Sequence, residues 1–135
     1  MTRGEALGGA TLLIVALLPF ASSCASAPKY DKKDCETFTE TGQVRVNPAF
    51  ALDRHFSLEA AFVVCPPGDG SAEMRRKRIE LKHELISLLS SKTQQQLEDP
   101  LRAEKLRGEI MMMANKHVLK RSEVIDVYIT SMKLE

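Results

Sequence analysis

Apolar and polar residues exchange places at every second position from Phe56 to Val64. Phe56, Leu58, Ala60, Phe62 and Val64 share one face, and Ser57, Glu59, Ala61 and Val63 share the other. That period, sustained over the whole run, predicts the principal strand of the fold. Pro66-Pro67-Gly68-Asp69-Gly70 stops it and turns the backbone. Val44-Arg45-Val46 predicts a shorter strand, closed by Asn47-Pro48 because proline cannot donate to a ladder. Near the C-terminus, Ile125, Val127 and Ile129 alternate with Asp126, Tyr128 and Thr130, predicting a last strand with residues to Leu134 available to extend it.

Between the second and third of these runs the period changes. Met74, Leu81, Leu85 and Leu88 recur at helical spacings, with Ile79 and Ile86 widening the stripe and Ser71 placed to cap its start. Thr93 and Gln96 form a Thr-x-x-Gln capping box for a short helical turn after Ser90-Ser91-Lys92. Asp99-Pro100 then opens a second amphipathic helix, with Asp99 as its cap and Leu106, Ile110, Met113 and His117 on its buried face, ending near Leu119-Lys120. The expected order is ββααβ. Strands grouped apart from helices predict an α+β fold, a small antiparallel or mixed sheet of about three strands packed against two helices.

The first residues follow a different grammar. Arg3 precedes the apolar run Leu12-Leu13-Ile14-Val15-Ala16-Leu17-Leu18, which breaks at Pro19 and gives way to small residues. The run is short of the ~20 residues a spanning helix needs, so it reads as a cleaved export signal. Ala21-Ser22-Ser23-Cys24 resembles a lipobox, with Ala21 where a leucine is usual and Cys24 as the acylated residue. A cut after Ala25-Ser26-Ala27 would place Pro28 in an extended protease-bound backbone, for which it is poorly suited. The chain therefore divides into a lipoprotein signal peptide (1–23), a lipidated flexible tether (24–42), polar and unpatterned, and one α+β domain (43–135). A length of 135 residues leaves room for no second domain.

Three cysteines suit an exported protein once Cys24 carries lipid and Cys35 and Cys65 remain as a pair. An oxidising compartment permits a disulfide between them; two unpaired thiols are the alternative. A formal net charge of +1 shows no phosphate-seeking excess, which argues against nucleic acid. Aromatic residues make up 5% with no tryptophan, which disfavours a ligand pocket. His55, His83 and His117 have no metal-ligand spacing, and no nucleophile elbow, P-loop or dinucleotide motif occurs. No metal, cofactor or enzyme activity is expected. Arg75-Arg76-Lys77-Arg78 spreads around a helix, with Glu73, Glu80 and Glu84 near enough to pair; it reads as a solvated face, or else as a contact for an acidic partner. Of Met111, Met112 and Met113, the last belongs to the core, and an exposed Met111 or Met112 could pack on a neighbouring subunit.

Leu85-Ile86-Ser87-Leu88-Leu89-Ser90-Ser91-Lys92-Thr93, followed by Leu97 and Asp99-Pro100, resembles the central signature of the flagellar basal-body-associated FliL family. Val124-Ile125-Asp126-Val127-Tyr128-Ile129-Thr130 resembles its terminal strand, and Phe56 to Val64 its long strand. The resemblance spans residues 43–134. It implies a periplasmic domain similar to the stomatin/prohibitin type, which oligomerises into a ring around the stator proteins MotA and MotB and supports torque without enzyme activity. Members typically keep an uncleaved transmembrane helix where this chain has its lipobox-like segment, and either the inner or the outer membrane could receive the anchor. The competing expectation is a periplasmic lipoprotein that binds a ligand or an envelope component away from the motor.

Overall fold

The computed structural model describes residues 29–135. The signal segment 1–23 and the acylation candidate Cys24 lie outside the described residues. Four antiparallel strands form one sheet: β1 (Glu36–Phe38), β2 (Val44–Val46), β3 (Phe56–Cys65) and β4 (Glu123–Leu134). β3 is central. β4 pairs along it from Phe56↔Leu134 to Cys65↔Glu123, while β1 and β2 share its other edge end to end, β1 against Phe62–Val64 and β2 against Phe56–Leu58.

The period-2 run explains this arrangement. Phe56, Leu58, Ala60, Phe62 and Val64 are all buried and face the helices, meeting Met74, Leu81, Leu85, Leu89, Leu97, Leu106 and Ile110 in one core. On the reverse face Ser57 and Glu59 are the more open positions, whereas Ala61 and Val63 are buried too. They lie opposite Tyr128 and Asp126 in the register, where Lys32 crosses the sheet. β1 falls inside the segment expected to be a tether. Its Phe38 is 3% exposed, so the fold begins earlier than residue 43 and the sheet has four strands.

The helices between β3 and β4 are α1 (Asp69–Arg76), α2 (Arg78–Ser90), α3 (Gln94–Glu98) and α4 (Arg102–Met113). The single helix expected after Ser71 is two, broken at Lys77, whose Nζ donates to the Val118 carbonyl at 2.8 Å. Ser71 is not the cap: the helix starts at Asp69 behind Gly68, whose φ of 77° is a left-handed value that suits glycine. Gly70 is required for a different reason, since a Cβ there would sit 2.9 Å from Val64 Cγ2. The buried stripe of α2 is Leu81, Leu85 and Leu89, with Leu88 half-buried; Ile79 and Ile86 point to solvent and do not widen it. α4 begins at Arg102 behind Leu101 with no side-chain cap; Asp99, expected as its cap, instead accepts the Leu101 N–H on Oδ1 at 2.7 Å in the turn ahead.

Two irregularities decide which side chains enter the core. Ala114–Val118 is a π-helical turn, closed by Leu119 N–H donating to the Ala114 carbonyl at 2.9 Å. Its extra residue turns His117 outward and buries Val118 in its place. In β4, register shifts opposite Glu59/Ala60 and Val63/Val64 mark bulges, so Val124, Val127, Ile129, Met132 and Leu134 face β3's core side. Ile125, expected to lead that face, is displaced by the first bulge.

Candidate functional site

The two stretches of sequence that carry a recognisable signature are far apart in the chain, and the structure joins both to α4. In the first, Leu85 and Leu89 anchor the end of α2 in the core, and Ser91 Oγ donates to the Leu88 carbonyl at 2.6 Å. The Lys92 carbonyl accepts the Ala49 N–H at 2.8 Å, and Thr93 forms a parallel bridge with Ala49. Thr93 then caps α3 reciprocally: its Oγ1 accepts the Gln96 N–H at 3.2 Å, and its own N–H donates to Gln96 Oε1 at 3.0 Å. Lys92, its side chain only 16% exposed, forms an ion pair through Nζ with Glu109 of α4.

The second stretch lies on β4. Asp126 is buried beside Arg107, whose Nη2 donates to its Oδ1 at 2.9 Å, and Lys32 donates to its other oxygen. The Val127 N–H adds a third donor at 2.8 Å. Burial pushes the Asp126 carboxyl up, but hydrogen bonds from Lys32, Arg107 and Val127 outweigh it and hold the group at about 2. Lys32 also stands 5.6 Å from the Tyr128 ring centroid, a cation–π distance. Thr130 Oγ1 donates to the Glu59 carbonyl at 3.1 Å, tying the second bulge to β3.

α4 and the π-turn that follows it cover the outer edge of β4 as well. Arg107 Nε donates to the Val127 carbonyl at 2.8 Å, while Asn115 takes both backbone groups of Val124, accepting its N–H at 2.7 Å and donating to its carbonyl at 2.8 Å. These side chains occupy the place of another strand, which blunts the edge against unwanted pairing. Arg107, Glu109 and Asn115 were not singled out by sequence reasoning. Their only signal is position: each polar residue lies within reach of a strand or loop that the periodicity does not connect to it.

Glu73 has other partners than the sequence suggests. Expected to pair with the neighbouring basic run, it is instead 2% exposed and accepts the N–H groups of Lys120, Arg121 and Ser122 at 2.8–3.4 Å. Burial raises this carboxyl and the three backbone donors more than offset it, leaving it below its ordinary value. Arg75 pairs with Glu40 through two bonds of 3.2 and 2.8 Å, so the nearby acids of its own helix are not its partners. Cys35 and Cys65 are joined as a disulfide, Cα–Cα 4.8 Å, which pins the start of β1 to the end of β3.

Among the described residues no three histidine, cysteine or acidic side chains converge as metal ligands, and no helix is long and apolar enough to cross a membrane. A cleft of about 690 Å³ opens beside Tyr30 and Lys32, bordered by Met111, Asn115 and Val124. Two of its polar side chains are engaged, Asn115 with Val124 and Lys32 with Asp126. Exposed instead are large apolar side chains: Phe50, Leu52, Ile79, Leu101 and Met112 are each more than half open to solvent. Met113 is in the core and Met111 is half-buried against it.

Compared with known families, residues 38–133 match the family model described as flagellar basal body-associated protein FliL. No curated protein matches the chain.

Proposed function

The chain belongs to the FliL family of flagellar basal body-associated proteins, and from that premise we propose that it is a non-enzymatic motor accessory which oligomerises around the MotA/MotB stator units and supports their torque. The observation that carries this reading is the bracket formed by α4. It pairs Lys92 with Glu109 and Asp126 with Arg107, which ties the two stretches that resemble the family to one helix. Residues spent on internal ion pairs and caps make a scaffold, and a scaffold with several large apolar side chains left outside suits docking to other proteins.

In this reading the domain is of the stomatin/prohibitin type in fold and lies on the periplasmic side of the membrane, held there by lipid on Cys24. Deleting the gene should slow swimming most in viscous medium, where motors work under load. Normal motility in the deletion strain, with the protein absent from isolated basal bodies, would overturn it. The anchor is tested separately by Cys24→Ala: loss of acyl labelling and of membrane retention is expected, and an unlabelled protein still held in the inner membrane would show that the apolar segment is the anchor.

A further inference from the structure

The loop between β2 and β3 presents Phe50 fully exposed and Leu52 85% exposed. This is not slack chain. Asn47 Nδ2 donates to the Leu52 and Arg54 carbonyls at 3.1 and 2.8 Å, the Ala51 N–H to the Pro48 carbonyl at 3.1 Å, and the Ala49 N–H to that of Lys92 at 2.8 Å. Phe50 holds φ at 62°, a left-handed value that is unfavourable for a bulky side chain. A wholly exposed ring gains no packing in return, so the fastened loop keeps strain in order to hold two apolar side chains outside the fold.

The charges and the length of the chain say what covers them. Among the described residues, Arg54 pairs with Glu98 and Lys92 with Glu109, while Asp53 is exposed and in no ion pair. The tip thus presents two apolar groups and one carboxylate, with no pattern of charge for a shaped protein partner to read. Lys29, the first described residue, follows Cys24 by five positions, which fully extended span at most ~18 Å. The disulfide to Cys65 and the Lys32–Asp126 pair fix the incoming chain at one end of β3, and the Phe50 loop precedes the other end, a strand of ten residues or ~33 Å away. On so short a leash from an acylated Cys24 the domain stays against the membrane, and lying along it brings the far loop to lipid.

We propose that Phe50 and Leu52 insert into the lipid surface to which the chain is anchored, as a second foothold that lays the sheet along the membrane. Two side chains are too few to retain a free protein on a bilayer, but the anchor makes their insertion intramolecular and so raises their effective concentration. Asp53, next to Leu52, stays hydrated and stops the tip at the level of the headgroups. Its charge also means that anionic lipid is not what draws the loop in. The inference rests on the membrane-anchored reading above and adds a contact to it.

The chain contains no tryptophan, so Phe50→Trp places a fluorophore at this site alone. The full-length acylated protein carrying it is reconstituted into vesicles of phosphatidylethanolamine and phosphatidylglycerol, with and without bromine on the acyl chains. Blue-shifted emission is expected, quenched about twofold or more by bromine near the headgroups and less by bromine deep in the chains. Adding Leu52→Asp should remove most of that quenching while the protein unfolds at the wild-type temperature, since Leu52 is exposed. Phe50→Gly should unfold no earlier than wild type, because glycine adopts the left-handed conformation freely; earlier unfolding would mean the ring packs on its own chain and would overturn the proposal. Emission typical of a water-exposed indole would overturn it too, and so would a blue shift that bromine leaves unquenched, which would put the loop against protein, another copy included. Flotation separates the two levels: protein that floats with the vesicles while the fluorophore stays unquenched refutes this inference alone, and protein that does not float refutes the anchor as well.

Discussion

Asp126 shows how one side chain in a signature can be structural and still leave a measurable trace. Its carboxyl is held at about 2, from an ordinary value of 3.8, by Lys32, Arg107 and the Val127 N–H acting against burial. A group whose folded value is depressed contributes stability that is complete above its unfolded value and disappears as pH falls through the folded one. Between pH 4 and 2 the domain should therefore lose about 2 kcal/mol through this residue. Asp126→Asn should be less stable than wild type at neutral pH, with the gap closing toward pH 2; parallel pH profiles would contradict the assignment. The Cys35–Cys65 bridge closes a thirty-residue separation, and Cys35→Ser with Cys65→Ser should cost about 3 kcal/mol in chemical denaturation. An unchanged denaturation midpoint would mean the thiols are not bridged in the native protein. Asp126 could be picked out in the sequence only as a letter of a signature, because its partners lie 94 and 19 residues away. The true partners of Glu73 could not be picked out at all, since backbone N–H groups that receive a carboxylate leave no mark in residue identity.

At the level of elements, periodicity identified what was long and regular and failed where one residue was added. Phe56–Cys65 and the Thr93/Gln96 capping box are local patterns, and both are where the sequence places them. Thr93→Ala should lower stability by about 1 kcal/mol through loss of the cap, measured by thermal unfolding. The π-turn at Ala114–Val118 and the two bulges of β4 change phase instead, which is why His117 and Ile125 were misplaced and Val118 and Val124 took their positions. Substituting the two neighbours separates these readings. Val118→Ala should cost about 2 kcal/mol, whereas His117→Ala should stay within about 0.5 kcal/mol; the reverse order would mean the turn is a regular α-helix. β1 escaped notice for a related reason. Three residues with a single buried side chain have no period, and what makes them a strand is the edge of β3 beside them.

The whole molecule reads as a scaffold that holds surfaces in fixed relation. α4 ties the Lys92 corner to the β4 signature, Lys32 and the disulfide bind the N-terminal segment to the opposite face and end of the sheet, and the Phe50 loop projects from the Lys92 corner. The α+β class was legible from periodicity and the family from contiguous strings that resemble it, Leu88 to Thr93 and Asp126 to Thr130, which lie within the matched residues 38–133. The exposure of Phe50 and Ile79 was not, because hydrophobicity alone predicts burial for both and only packing decides otherwise. What such a scaffold does in the cell is answered most directly by the speed of single motors under increasing viscous load, in a strain lacking this protein and in the same strain with it restored. The account predicts near-normal speed at low load and a marked loss at high load that restoration repairs. Coincident load–speed curves in the two strains would contradict it.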